Sequence, residues 1–301
     1  MQKKTLGKTK LMVSRLGIGL AEIGSRLTIA EEERAAEVLN AALDAEINFL
    51  DTAACYGTSE ELIGRTISKR RGEFILSTKA GHAVDDEADQ SWTYQTIRNS
   101  IERSLRRMQT DYIDIVHLHS CDVDILEKGE AIRALQDARQ AGTTRFIGYS
   151  GDNEAAGWAV ASGIFDTLQT SFNLVDQKAR LGLFSQAHEK GMGVIVKRPV
   201  ANGAWGAGQS PSAYASEYFR RYKVMIQDSP PPDWSESPIL LALGFVYAHD
   251  EVDTAIVGTS SPPHLQKNIQ WVEHKLPLNQ PWVEWLHQRF DEVGKSWPQK
   301  G

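Results

Sequence analysis

Four short segments carry side chains that could do chemistry together: DTAACYG at 51–57, STKA at 77–80, DYIDIVHLHS at 111–120 and RFIGYS at 145–150. They place Asp51, Tyr56, Lys79 and His119 at or just past the ends of successive apolar, strand-like runs. A phenol, an ammonium, an imidazole and a carboxylate gathered at one mouth can donate a proton to a carbonyl oxygen. Free tyrosine titrates near ~10, a poor match to neutral pH. An ammonium beside the phenol favours the phenolate and lowers that pKa, and a carboxylate beside the amine keeps it charged and oriented. A fall of ~2 units corresponds to about 2.7 kcal/mol, which one close charge in a partly desolvated pocket can supply. Singly, each residue has a plainer use: a turn aspartate, a loop aromatic, a solvated lysine, a hydrogen-bonded core histidine. At the C-terminal ends of the second, third and fourth strands of a barrel they are expected to form a catalytic site.

Strand-like and helix-like runs alternate along the chain to position these groups. Strands are expected at 16–20, 48–50, 73–77, 112–118, 144–149, 167–171, 193–196 and 253–257. Helices are expected at 31–45, 59–67, 93–108, 130–140, 178–190 and 239–249. The 93–108 stretch is the clearest: Tyr94, Ile97, Ile101, Leu105 and Met108 recur at three- and four-residue steps and make one apolar stripe. Eight short buried-type strands with helices between them predict the α/β class and a (β/α)8 TIM barrel, one domain over residues 1–301. A doubly wound sheet would carry G-x-G-x-x-G after the first strand, and Gly17-Ile18-Gly19-Leu20-Ala21-Glu22 lacks the third glycine. One connection, 198–238, follows the seventh strand and holds six prolines (Pro199, Pro211, Pro230, Pro231, Pro232, Pro238). A loop this long is expected to be a functional lid or disordered.

The chain has 301 residues, 41% hydrophobic and 24% charged, enough for a sizeable core and against global disorder. A formal net charge of −6 argues against nucleic acid or an anionic membrane as main partner. The two cysteines, Cys55 and Cys121, make no disulfide framework and suit a reducing compartment. No apolar run approaches ~20 residues, and residues 1–9 do not read as a signal peptide, so the expected location is the cytoplasm.

Residues 48–53 (NFLDTA) with Tyr56-Gly57 and SEELIG at 59–64, and residues 101–108 (IERSLRRM) running into DYID at 111–114 and His119, are similar in order and spacing to the two signatures of the aldo-keto reductases. The resemblance covers nearly the whole chain. It implies a TIM barrel that binds a nicotinamide dinucleotide extended, without a Rossmann unit, and reduces a small-molecule aldehyde or ketone. Tyr56 would be the general acid, assisted by Lys79 and Asp51, with His119 orienting the carbonyl or relaying the proton. The nicotinamide carboxamide contacts match Ser150 and Gln169. The usual asparagine beside the serine is Gly151 here, so that amide hydrogen bond is either missing or supplied by Asn153. The aromatic residue that commonly stacks on the nicotinamide is Lys197, so either the Lys197 stem or the Arg198 guanidinium would cover the ring. Arg198, Pro199, Val200 and Gly203 belong to a segment that resembles the loop over the pyrophosphate. Gly258, Thr259, Ser260, His264, Lys267 and Asn268 fall where the family binds the adenosine 2′-phosphate and adenine. The frequent arginine there is His264 and the frequent acidic residue is Lys267. NADP(H) is favoured, NAD(H) possible. An imidazole titrates near ~6.5, so NADPH affinity would rise as pH falls.

The pocket mouth is expected to include Ala21, Glu22, Ala54, Cys55, Trp92, Cys121 and Trp205, and the chain to be a monomer or small homo-oligomer. Two other functions fit parts of the pattern. One is a regulatory barrel that senses NADPH, as in channel β subunits. The other is a metal-dependent hydrolase using His117 and His119, which period-2 geometry points to one side of a strand. The later strands end without further histidines, so His117 is read as support for the residues around it and no metal site is expected.

Overall fold

The computed structural model describes residues 1–83, 90–229, 231–232, 236–276 and 280–300. Short valine-, isoleucine- and leucine-rich runs bury both faces when neighbouring strands fill one side and helices cover the other. The strands are β1 (Lys3–Thr5), β2 (Met12–Ser14), β3 (Leu16–Gly19), β4 (Phe49–Asp51), β5 (Ile75–Ala80), β6 (Ile113–His119), β7 (Thr144–Ser150), β8 (Thr167–Ser171), β9 (Gly193–Lys197) and β10 (Thr254–Gly258). Strands β3 to β10 close into a parallel barrel in sequence order, β10 returning to pair with β3. The helices are α1 (Ala21–Arg26), α2 (Glu32–Asp44), α3 (Ser59–Ile67), α4 (Tyr94–Met108), α5 (Val123–Lys128), α6 (Glu130–Gln140), α7 (Asn153–Ser162), α8 (Leu183–Glu189), α9 (Ser216–Ile226), α10 (Pro238–Tyr247), α11 (Pro262–His274) and α12 (Gln280–Val293). The expected (β/α)8 barrel is the observed fold.

Helix α4 shows why the sequence folds this way. Thr93 accepts from the Thr96 N–H and caps its start, Ile97, Ile101 and Met108 are buried on its inner stripe, and Gln109 ends it in a left-handed conformation. Barrel register then sets the functional level. Asp51 pairs with Ser77, Lys79 with His117, His119 with Ser150, Ser150 with Gln169, and Ser171 with Lys197. Residues far apart in sequence therefore lie side by side at the C-terminal rim.

Several elements depart from expectation. An antiparallel hairpin, β1 with β2, precedes the barrel and buries Leu6, Leu11 and Val13 against Phe49, Ile75, Ile115, Ile195 and Ile256, closing the bottom. The helix expected at 178–190 breaks at Gly182 (φ +139°) into a 3-10 turn, Lys178–Leu181, and α8. The connection 198–238 is not a bare loop. It holds 3-10 turns at Ala201–Gly203 and Ala213–Ala215 and helix α9, whose Tyr218, Arg221 and Met225 are buried at helical spacing. The prolines lie outside α9, which masks its signal when the segment is read as one unit; Pro230 lies outside the described residues.

Candidate active site

Asp51 ends β4 and Lys79 lies near the end of β5, so their neighbouring strands bring a carboxylate and an amine together in a dry layer. Lys79 Nζ is 2.5 Å from Asp51 Oδ2 and also donates to the Thr52 carbonyl at 2.8 Å. The other Asp51 oxygen accepts from Ser77 Oγ (2.9 Å) and Gln169 Nε2 (2.8 Å). Both side chains of the pair are 2% exposed, so the ion pair has no competing water. Tyr56 lies on the turn after β4, and the Lys79 ammonium sits 4.8 Å from its ring centroid. That turn packs tightly on α1: a Cβ at Gly24 would come within 1.8 Å of the Tyr56 carbonyl oxygen, so only glycine allows the approach.

His119, at the end of β6, meets the Tyr56 ring edge-on at 5.9 Å. Its Nδ1 is 3.6 Å from Cys55 Sγ, its carbonyl accepts from Trp92 Nε1 (3.0 Å), and His82 packs between it and Trp92. His117 lies one layer deeper. Its ring nitrogens face Ser77 Oγ (3.3 Å) and Thr167 Oγ1 (3.0 Å), and a Cβ at Gly148 would come within 2.2 Å of its ring. The two histidines thus engage different partners. Among the described residues no three His, Cys, Asp or Glu side chains are grouped so as to hold a metal ion.

The protonation pattern differs in one respect from the sequence reading. Burial raises the Tyr56 pKa, Lys79 pulls it down, and Asp51, which neutralises much of the Lys79 charge, pushes it up again; the result lies above the ordinary tyrosine value. Tyr56 is therefore a protonated phenol in this state rather than one already poised to ionise. Burial opposes the Lys79 charge, but Asp51 and Tyr56 outweigh it and the amine is held above the usual lysine value. Burial, then the positive charges of Lys79 and Lys197, press His119 down to about 2, so its imidazole is neutral. Burial takes His117 to about 3.

A second charged cluster lies across the rim. Asp152, just after β7, accepts from Thr170 Oγ1 (2.9 Å), the Ser171 N–H (2.7 Å) and Ser171 Oγ (3.1 Å). It also pairs with Lys197 Nζ at 2.9 Å and lies 3.7 Å from Arg198 Nη1. Arg198 has a positive φ (+56°). It donates to Tyr214 OH (2.7 Å), Ser171 Oγ (2.9 Å) and the Lys300 carbonyl. Two cations thus share one buried carboxylate.

The structure brings Asp51, Tyr56, Lys79 and His119 together and links them to Ser150 and Gln169, since Ser150 Oγ donates to Gln169 Oε1 at 2.9 Å. Lys197, Arg198, Pro199, Val200 and Gly203 follow one another at the end of β9 and into the next turn. Gly258, Thr259 and Ser260 run from β10 towards α11, where His264 and Lys267 are exposed and Asn268 is buried. Two expectations are corrected. Trp205 does not line the mouth: it is buried against Tyr222 of α9 and Trp285 of α12. Cys121, though its side chain is buried, lines a cavity at the rim with Ser120, Gly151 and Asp152, and its carbonyl accepts from Tyr149 OH. Asn153 is not a free amide: both ends of its side chain are paired to the Gln299 backbone. Sequence reading misses Asp152, Tyr214, Gln299 and Lys300. Asp152 stands two residues from Ser150, which offers a signal; the tail residues carry no local one.

A closed parallel barrel with a buried amine–carboxylate pair, a phenol and a neutral imidazole at its C-terminal rim defines a barrel oxidoreductase. The sequence pattern of the Aldo/keto reductase family matches residues 15–281, and the chain belongs to that family. It is 30% identical over 292 residues to an uncharacterised oxidoreductase, YqkF, of Bacillus subtilis, covering 90% of each chain. It is 28% identical to the L-galactose dehydrogenase of Arabidopsis thaliana, over 89% of this chain and 87% of that one. The solved structure of aldo-keto reductase AKR11C1 from Bacillus halodurans in its holo form superposes with a TM-score of 0.82 at 28% identity, over 96% of both chains. The protein is an oxidoreductase enzyme of a family that generally uses NAD(P)H and acts on small-molecule carbonyls. No described helix is long and apolar enough to cross a membrane.

Proposed function

We propose that the chain, as one barrel domain over residues 1–301, reduces an aldehyde or ketone to an alcohol with NADPH, Tyr56 acting as general acid. The observation that carries this is the Lys79 ammonium 4.8 Å from the Tyr56 ring centroid while paired to Asp51 at 2.5 Å. A nicotinamide dinucleotide, when bound, would supply hydride to the carbonyl carbon. Tyr56 gives its proton to the carbonyl oxygen, where negative charge develops. Its raised pKa keeps that proton in place at neutral pH, and an alkoxide is a far stronger base than a phenolate. The phenolate left behind is stabilised by Lys79, which Asp51 keeps charged. His119, neutral, holds the carbonyl oxygen by a hydrogen bond and adds no competing charge.

The residues present suit an extended anionic cofactor. Lys197 and Arg198 share one carboxylate, Asp152, so within that cluster cations outnumber anions. Asn202, in the turn that follows, has a buried Nδ2 with no hydrogen-bond partner among the described residues, a donor in want of an acceptor. Thr259 and Ser260 lead to the start of α11, where Pro262 and Pro263 carry no N–H, so a phosphate there would rely on the Thr259 and Ser260 hydroxyls, the helix dipole and the exposed Lys267 ammonium, with His264 beside it. These features support NADPH over NADH. Ser150, Gln169 and Asn268 complete the proposed contacts, with the Lys197 stem beside the nicotinamide; Arg198 is engaged by Tyr214, Ser171 and Lys300. The test is steady-state oxidation of NADPH and NADH against a panel of aldehydes and ketones. Consumption of NADPH in step with alcohol formation is expected; no turnover with any carbonyl, despite tight NADPH binding, would replace the enzymatic reading of this site with a sensing one.

A further inference from the structure

The segment 297–300, beyond α12, crosses the rim and reaches the second charged cluster. The Trp297 ring meets Phe290 of α12 edge-on at 6.0 Å and lies against the guanidinium groups of Arg220 and Arg221 of α9. Arg221 also donates to the Pro298 carbonyl at 2.7 Å. Gln299 is 4% exposed. Its backbone exchanges two hydrogen bonds with the Asn153 side-chain amide (2.7 and 3.0 Å), and its Oε1 accepts from the Asn153 N–H (3.0 Å). Its Nε2 faces Thr170 Oγ1 and the Ser171 carbonyl, both at 2.9 Å, and Asp152 Oδ1 at 3.4 Å. The Lys300 N–H donates to Asp176 (2.9 Å), while its carbonyl accepts from Arg198 and Ser171 Oγ.

This pattern exceeds what filling a gap requires. Asp152 is the anion that holds both rim cations, and Gln299 reaches it directly and through Thr170 and Ser171. Lys300 gives Arg198 a carbonyl acceptor that the barrel itself does not supply. Lys197 and Arg198 repel one another, so their spacing depends on the acceptors between them.

We propose that residues 299 and 300 form a clasp that fixes the Lys197–Arg198 cation pair, and that Gln299 is a positioning residue for dinucleotide binding. The proposal rests on the reading of these cations as cofactor contacts. With the clasp loosened, Arg198 loses its carbonyl acceptor and keeps Tyr214, Ser171 and the longer Asp152 contact, so its guanidinium is less firmly placed, while the tetrad around Asp51 is untouched. Affinity for the anionic dinucleotide falls more than turnover does.

The experiment titrates the full chain, Gln299→Leu and Asn153→Gly with NADPH, followed by protein fluorescence well below each variant's Tm. Asn153 lies at φ +56°, so glycine keeps its backbone while removing the paired amide, and this variant carries the test if Gln299→Leu does not fold. Loss of hydrogen bonds to a charged cluster is expected to raise the NADPH Kd by about fivefold or more. KM for NADPH should rise in step, with a smaller fall in kcat at saturation. A smaller rise in Kd, whatever happens to Tm, overturns the clasp as a positioning device and leaves it a packing element. If the parent chain itself binds neither NADPH nor NADH, the cofactor reading fails first and the ligand of the clasp with it.

Discussion

Two lysine–carboxylate pairs, one buried and one with a partly exposed amine, stand on opposite sides of the same rim, and their amines shift in opposite directions in proton affinity. Lys79 faces Asp51 at 2.5 Å; Lys197 faces Asp152 at 2.9 Å. Lys79 is held above the usual lysine value, because Asp51 and the Tyr56 phenol outweigh the burial that opposes its charge. Lys197 is held below it, chiefly by burial, and because Arg198 competes for its carboxylate and Lys79 adds repulsion. A lysine–aspartate pair in a dry site is thus not one kind of object. The third group decides whether the amine is held charged beside a phenol or gives up its proton more readily beside a second cation.

The largest way to break this comparison lies on the Asp51 side. Tyr56→Phe should lower turnover by about 10²–10⁴ while leaving the NADPH Kd nearly unchanged; equal turnover in the variant would remove Tyr56 from the chemistry. Next, Lys79→Met strands a buried carboxylate and should destabilise the fold by about 3–5 kcal/mol. Lys197→Met leaves Asp152 its Thr170, Ser171, Gln299 and Arg198 partners and should cost only about 1–3 kcal/mol. Urea unfolding of the two variants side by side checks this, and equal losses would mean the two pairs are equivalent after all.

Acid stability separates the regions further. Folded His117, which burial and then Lys79 depress to about 3 against the pull of Asp51, stays neutral where the unfolded chain takes up a proton near ~6.5. Its contribution is whole above the unfolded value and is lost as pH falls from there towards 3. His117→Gln should flatten the loss of stability between pH 7 and pH 4, seen as urea midpoints that converge with the parent at low pH. The smallest effect is at the alkaline end. Because Lys197 gives up its proton before an ordinary lysine, NADPH affinity should decline at a pH below ~10.4, and Arg198→Gln should move that decline upward. A decline that stays in place would detach it from Lys197.

The legible half of the site is the half written in contiguous segments. Asp51 and Tyr56 share one seven-residue stretch, and Lys79 and His119 end strands with strong apolar patterns, so local sequence and a parallel-barrel expectation are enough to gather them. The Tyr56 pKa is not legible, since it depends on how much of the Lys79 charge Asp51 cancels and on how dry the pocket is. Helix α9 is hidden because a proline- and glycine-rich stretch reads as a single loop, although Tyr218, Arg221 and Met225 have helical spacing. The hairpin β1–β2 escapes notice because strands of three residues give too few alternations to register.

What the sequence determined by itself is the barrel and the four side chains at its mouth: alternation of apolar and amphipathic runs fixes the strand order, and strand order fixes which strand ends are neighbours. What the tertiary structure alone decided is the company those side chains keep. Gln299 lies 146 residues from Asn153 along the chain and within 2.7 Å of it in space, and no local preference encodes that meeting. It arises from the packing of α9 and α12 outside the repeating unit, where side-chain shape and buried hydrogen bonds, rather than periodicity, choose the partner.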